Sequence, residues 1–177
     1  MTLRTCFLPL LLAALGLGCG RVSETQARNL VVRYNEAVSE AYRKNDILLI
    51  DPVVGPNAPD GRRLTGLIGV HADMGIALDA HLESLEVAGV EEGKGELRVR
   101  TREQWRYRDV QVATGAQVGE ASVDHYEMLY LFRKQKGAWM VEETSFAAPP
   151  QVGRKEIPWT MDAKDAHSIA TPPPGKP

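Results

Sequence analysis

The chain has 177 residues, 44% of them hydrophobic, with 21 Lys and Arg against 23 Asp and Glu. That length suits one domain with tails, and it is enough to bury a core without staples. A formal net charge of −2 gives no overall attraction to nucleic acid or to anionic lipid.

The first eighteen residues have the layout of a secretory leader. Arg4 is the positive charge near the start, and the first acidic residue is Glu24. Residues 7–17 are apolar apart from Pro9 and Gly16, and small residues stand before Cys19. The run is short of the ~20 apolar residues that a membrane span needs. Gly18-Cys19 also resembles the bacterial lipobox, in which aliphatic and small residues precede a cysteine that takes lipid. Leu17 here stands one place from that pattern's aliphatic position. The resemblance implies a signal peptide over 1–18 and lipidation of Cys19, so that residues 19–22 form the anchored start of the mature chain. Each buried CH₂ of such an anchor contributes ~0.8 kcal/mol, and bacterial lipoproteins carry two or three acyl chains, enough for stable anchoring. Retention at the inner membrane is signalled in that family by Asp after the cysteine. Gly20 occupies the place here, which implies the outer membrane, on its periplasmic side. Cys6 leaves with the leader and Cys19 is consumed by lipid, so no thiol remains for a disulfide, a metal or a nucleophile. Loss of Arg4 leaves 20 basic residues against 23 acidic, a net charge of −3.

The mature chain opens with an amphipathic helix. Ser23 and Gln26 have capping-box spacing, and Ala27, Leu30, Val31, Tyr34, Ala37, Val38 and Ala41 recur at helical period, predicting a helix over 24–44. Arg28, Asn35, Ser39 and Arg43 fall mostly between them. Asn45-Asp46 ends it, and residues 47–50 form a short apolar patch fit for a helical turn, stopped by Pro52. Residues 54–63 hold Gly55, Pro56, Asn57, Pro59, Asp60 and Gly61, which is loop chemistry. An apolar stripe through Leu67, Ile68, His71, Met74, Ala77, Leu78 and His81 predicts a second helix over 64–82, weakened by three glycines at ~1 kcal/mol each.

The remainder reads as strands. The first covers 82–91 and the second 96–110, where Arg98, Arg100, Arg102, Arg106 and Arg108 alternate with Leu97, Val99, Thr101, Glu103, Trp105 and Tyr107. Period-two alternation puts all five arginines on one face. A Gly-bearing hairpin region at 111–120 leads to a third strand over 121–134. Lys136-Gly137 makes a tight turn into a fourth over 138–147, which Pro149-Pro150 closes. Residues 149–177 lack apolar periodicity and form a Pro-rich tail expected to be largely disordered, with Trp159 its one large apolar side chain. Helices followed by hairpin-linked strands predict an α+β domain over 23–148, with N-terminal helices on a curved antiparallel sheet of about four strands.

That order resembles the nuclear-transport-factor-2-like superfamily, which includes SnoaL-type cyclases and ketosteroid isomerases. The resemblance rests on residues 103–107, on the Tyr-rich stretch 125–133 and on the Gly137-Ala138-Trp139-Met140-Val141 strand. It extends to the intermembrane-space domain of plastid division proteins, a relative that binds rather than catalyses. The fold it implies often encloses a conical pocket between helix and sheet. Glu103, Trp105 and Tyr107 share a strand face that would line such a pocket, with His71 and His125 as further candidates. In an isomerase-type or small-molecule-binding reading, Glu103 is a general base and Tyr107 or Tyr126 donates to a developing oxyanion. The isomerases' Asp base has no residue-by-residue counterpart here. In the plainer reading the aromatics fill the core and Glu103 is paired at its edge. His71 and His81, ten residues apart, cannot jointly chelate an ion on one helix, so no metal and no cofactor are expected. The arginine row is either a contact surface for an acidic envelope protein or polymer, or a solvated face laced to acids such as Glu86, Asp124, Glu142 and Glu143. Together these observations predict a cell-envelope lipoprotein acting as a non-catalytic binding or assembly module.

Overall fold

The computed structural model describes residues 21–153. Helix α1 (Glu24–Lys44) begins at Ser23, whose hydroxyl accepts from the Gln26 N–H while the Gln26 side chain accepts from the Ser23 N–H. It ends at Asn45 in the left-handed conformation, a position that asparagine tolerates. A 3-10 turn (Ile47–Ile50) follows, capped by the Asp46 carboxylate on the Leu48 N–H at 3.0 Å.

Helix α2 spans Pro59–Asp73, and strand β1 spans Ile76–Glu92. The second helix predicted over 64–82 is therefore displaced. It starts earlier because Pro59 occupies its first turn, where a missing N–H costs nothing. It stops earlier because Gly75, at φ +66°, turns the chain out of the helix. Residues 76–82 then extend along the sheet, with Leu78 fully buried. His71 and His81 consequently sit on different elements, and His81 lies on β1 at 2.9 Å from the Asp79 carboxylate.

Strands β2 (Glu96–Gln111), β3 (Gln117–Gln135) and β4 (Ala138–Phe146) complete an antiparallel sheet in the order β1-β2-β3-β4. Lys136 and Gly137 both have positive φ, as a two-residue type I′ hairpin requires. Register shifts in β1 at Leu82/Ser84 and Val87/Gly89, and between β3 and β4 at Leu131/Phe132, bend the sheet. The helices lie in the resulting hollow, with α1 against β1 and α2 against β1 and β4. The core gathers Val31, Tyr34 and Val38 of α1, Leu64 and Ile68 of α2, and inward residues of the sheet such as Leu78, Val99, Tyr130 and Val141. This is the expected α+β architecture, with the helices on one face of a four-stranded sheet.

Beyond β4 the chain keeps contact with β3. Gln151 forms an antiparallel bridge with His125, and the Gly153 N–H donates to Asp124 at 2.8 Å. Cys19, the leader and the tail beyond residue 153, with Trp159, lie outside the described residues.

Candidate functional site

Strand β2 sorts its residues by parity. Leu97, Val99, Thr101, Glu103, Trp105 and Tyr107 are buried and face the helices, while the five arginines are exposed on the opposite face. Between the inner face and the helices lies a small cavity of about 60 Å³. Glu103, Trp105, Tyr107, Tyr126 and Met128 line it from the sheet, Tyr34, Asn35 and Tyr42 from α1, and Arg63 from α2. At roughly 15 Å³ of such volume per water, it has room for a few waters.

Glu103 is the hub of this region, 4% exposed. Its Oε1 accepts from the Thr101 hydroxyl and from the Tyr130 hydroxyl, each at 2.7 Å. Its Oε2 accepts from the Trp105 indole N–H at 2.7 Å and from the Asn35 amide at 3.4 Å. A carboxylate offers about four lone-pair directions, so its acceptor capacity is filled from within. The donors come from α1, β2 and β3, and the carboxylate ties helix to sheet. Burial, reinforced by the negative charge of Glu103, pushes the Tyr130 hydroxyl well above the ordinary tyrosine range. Burial, then the neighbouring Tyr126, Asp124 and Glu103, does the same for Tyr107.

A second hub sits beside it. Asp60, 2% exposed, accepts from the Tyr34 hydroxyl and from the Thr144 hydroxyl, the latter at 2.7 Å. Arg63 pairs with Asp60 at 2.5 Å and donates to Thr144 at 2.6 Å. This cluster joins α1, α2 and β4. Burial and the Asp60 charge raise the Tyr34 hydroxyl, against the opposing effect of Arg63. A third carboxylate, Asp124, is fully buried and accepts from the Tyr126 hydroxyl at 2.8 Å and from Gly153.

Of the five pocket candidates, the structure brings Glu103, Trp105 and Tyr107 together and leaves two histidines elsewhere. His71 is buried on α2, where its Nδ1 lies 2.9 Å from the Leu67 carbonyl and its ring meets Tyr42 edge-on. His125 is exposed because its parity on β3 is opposite to that of Asp124 and Tyr126. Neither borders the cavity. Among the described residues no group of three or more His, Cys, Asp or Glu side chains could hold a metal ion.

On the outer face the arginines are mostly matched. Arg98 pairs with Glu96 at 3.4 Å, Arg102 with Glu86 at 3.1 Å and Glu127 at 3.7 Å, Arg106 with Glu83 at 2.5 Å, and Arg108 with Asp79. Arg100, opposite Gly89 and Leu129, has no ion pair among the described residues. The expected partner Glu86 is present. Asp124 is on the wrong face of the sheet for that role, and Glu142 and Glu143 of β4 form no ion pair with these arginines.

No protein-family model matches the chain, and no curated protein is similar to it in sequence. Solved structures are similar in shape. The intermembrane-space region of the chloroplast protein ARC6 superposes with a TM-score of 0.63 at 19% identity, over 73% of this chain and 100% of that one. The chain has the nuclear-transport-factor-2-like fold. A protein of that superfamily from Salmonella enterica serovar Typhimurium LT2 superposes with a TM-score of 0.50 at 9% identity, over 76% of this chain and 97% of that one. At such identities the likeness concerns fold alone, and nuclear-transport-factor-2-like domains include binding and isomerase members. On this fold the cavity occupies the hollow between the helices and the sheet. The Asp60 hub was not visible in the sequence, because its four members are scattered across three elements. Asn35 had a usable signal: it stands four residues after Val31 and three before Val38, on the buried stripe.

Proposed function

We propose that this chain is a lipid-anchored cell-envelope protein whose nuclear-transport-factor-2-like domain is a non-catalytic binding or assembly module. The observation that carries the non-catalytic reading is the occupancy of Glu103. A general base needs a free lone pair aimed at substrate. Here both carboxylate oxygens already accept from Thr101, Tyr130, Trp105 and Asn35. One of the two candidate oxyanion donors is also engaged, since the Tyr126 hydroxyl donates to Asp124.

The anchor reading is supported by the leader, by Gly18-Cys19 and by Gly20. The domain starts close behind, for the Val22 N–H is tied to Glu92 at 2.7 Å. No helix among the described residues is long and apolar enough to cross a membrane. Radiolabelled palmitate is expected in the wild-type protein and absent from Cys19→Ala, with the labelled protein in the outer-membrane fraction. Equal labelling of both forms contradicts the anchor. For an acidic envelope partner, protein or polymer, Arg100 is the arginine left available on the outer face. Arg100→Glu is expected to reduce recovery of such a partner in pull-downs from envelope fractions, and unchanged recovery contradicts that surface.

A further inference from the structure

Among the described residues three carboxylates are buried, and one of them has a cation. Asp60 is paired with Arg63. Glu103 and Asp124 have hydrogen-bond donors, but neither has a cation within ion-pair distance among the described residues. Donors satisfy lone pairs and leave the charge in place, and a carboxylate taken out of water without an opposite charge is strongly disfavoured.

The wall between these two carboxylates is aromatic. Trp105 and Tyr107 stack at 5.9 Å with their planes 10° apart. Tyr107 and Tyr126 follow at 6.5 Å, and Tyr126 and Phe146 at 5.6 Å. All four rings line the cavity. Ring faces carry partial negative charge and attract cations, more strongly where water is excluded. Arg63 borders the cavity too, but its guanidinium is held by Asp60 and Thr144. Glu103 is thus the lining charge without a counter-ion among the described residues, and the space of about 60 Å³, enough for a few waters, admits a small polar group.

We propose that this cavity binds the primary ammonium tip of an alkylamine or a lysine-like side chain, with Glu103 as counter-ion and the Trp105, Tyr107, Tyr126 and Phe146 rings as its walls. The Asn35 contact to Glu103 is the longest of the four at 3.4 Å. It is the one an ammonium N–H would displace, leaving the other three donors in place. The unpaired charge of Glu103 disfavours a carboxylate. The proposal deepens the binding-module reading and rests on it for the absence of turnover; it does not depend on the anchor.

The test is ligand-observed NMR of the full-length chain in detergent with n-butylammonium, n-butanol, butyrate and butyltrimethylammonium. Saturable binding of n-butylammonium is expected, with its nitrogen-adjacent CH₂ shifted upfield by the rings. Its affinity should exceed that of n-butanol and butyrate by about tenfold or more. Glu103→Gln should remove about that factor for the ammonium and leave n-butanol unchanged. The wild-type ligand series decides the matter even if that variant fails to fold. Equal binding of all four probes, or no saturable binding of n-butylammonium, overturns the ammonium site and leaves the Cys19 labelling result untouched. Chemical conversion of the bound amine overturns the non-catalytic reading instead.

Discussion

The two faces of β2 carry charge under opposite conditions. Outside, Arg98, Arg102, Arg106 and Arg108 each meet an acid in water. Inside, Glu103 meets four neutral donors away from water, and no cation among the described residues. Exposed ion pairs gain little, because solvent and salt screen them and long side chains must be ordered. Buried hydrogen bonds to a charge gain more, and above all they are expensive to break. The row of arginines is conspicuous in the sequence and contributes little to the fold. The single glutamate across the strand holds α1, β2 and β3 together.

The largest effect should come from breaking the inner hub. Glu103→Ala orphans donors on Thr101, Tyr130, Trp105 and Asn35, and urea denaturation should show a loss of about 3–5 kcal/mol. Asp60→Ala leaves Arg63 and the Tyr34 hydroxyl without their acceptor, for a loss of about 3 kcal/mol in the same measurement. Ser23→Ala, which removes one half of the capping box on α1, should cost about 1 kcal/mol. Arg106→Ala on the outer face should move the midpoint least. An outer-face loss as large as that of Asp60→Ala would break the comparison.

Alkaline pH sharpens it from another side. Tyr34, Tyr107 and Tyr130 are all raised well above the ordinary value, through burial first. Above about pH 10 the unfolded chain releases these protons while the folded chain keeps them. Stability is therefore fully present below that pH and falls as pH rises beyond it. Absorbance at 295 nm should show these tyrosines ionising together with unfolding rather than before it.

Much of this was legible in the sequence where a pattern was local. The capping box and stripe of α1, the alternation of β2 and the Lys136-Gly137 turn each depend on neighbours a few residues apart. The stretch around α2 misled for physical reasons. Pro59, Asp60 and Gly61 read as loop, yet the proline sits in a helix's first turn. Residues 76–82 have an apolar spacing that suits helix or strand, and the left-handed Gly75 decides between them. The hubs were hidden differently. Glu103 was marked by its parity on β2, but its partner Tyr130 is 27 residues away, and Asp60 finds Thr144 at a separation of 84. Contacts of that kind follow from the fold and leave no local trace.

The central claim is that Glu103 acts as a hydrogen-bonded hub between helix and sheet. A double-mutant cycle between Glu103→Gln and Tyr130→Phe, read by urea denaturation, tests it most directly. The account predicts a coupling of about 1–3 kcal/mol between the two sites. Additive losses, with coupling near zero, would contradict it.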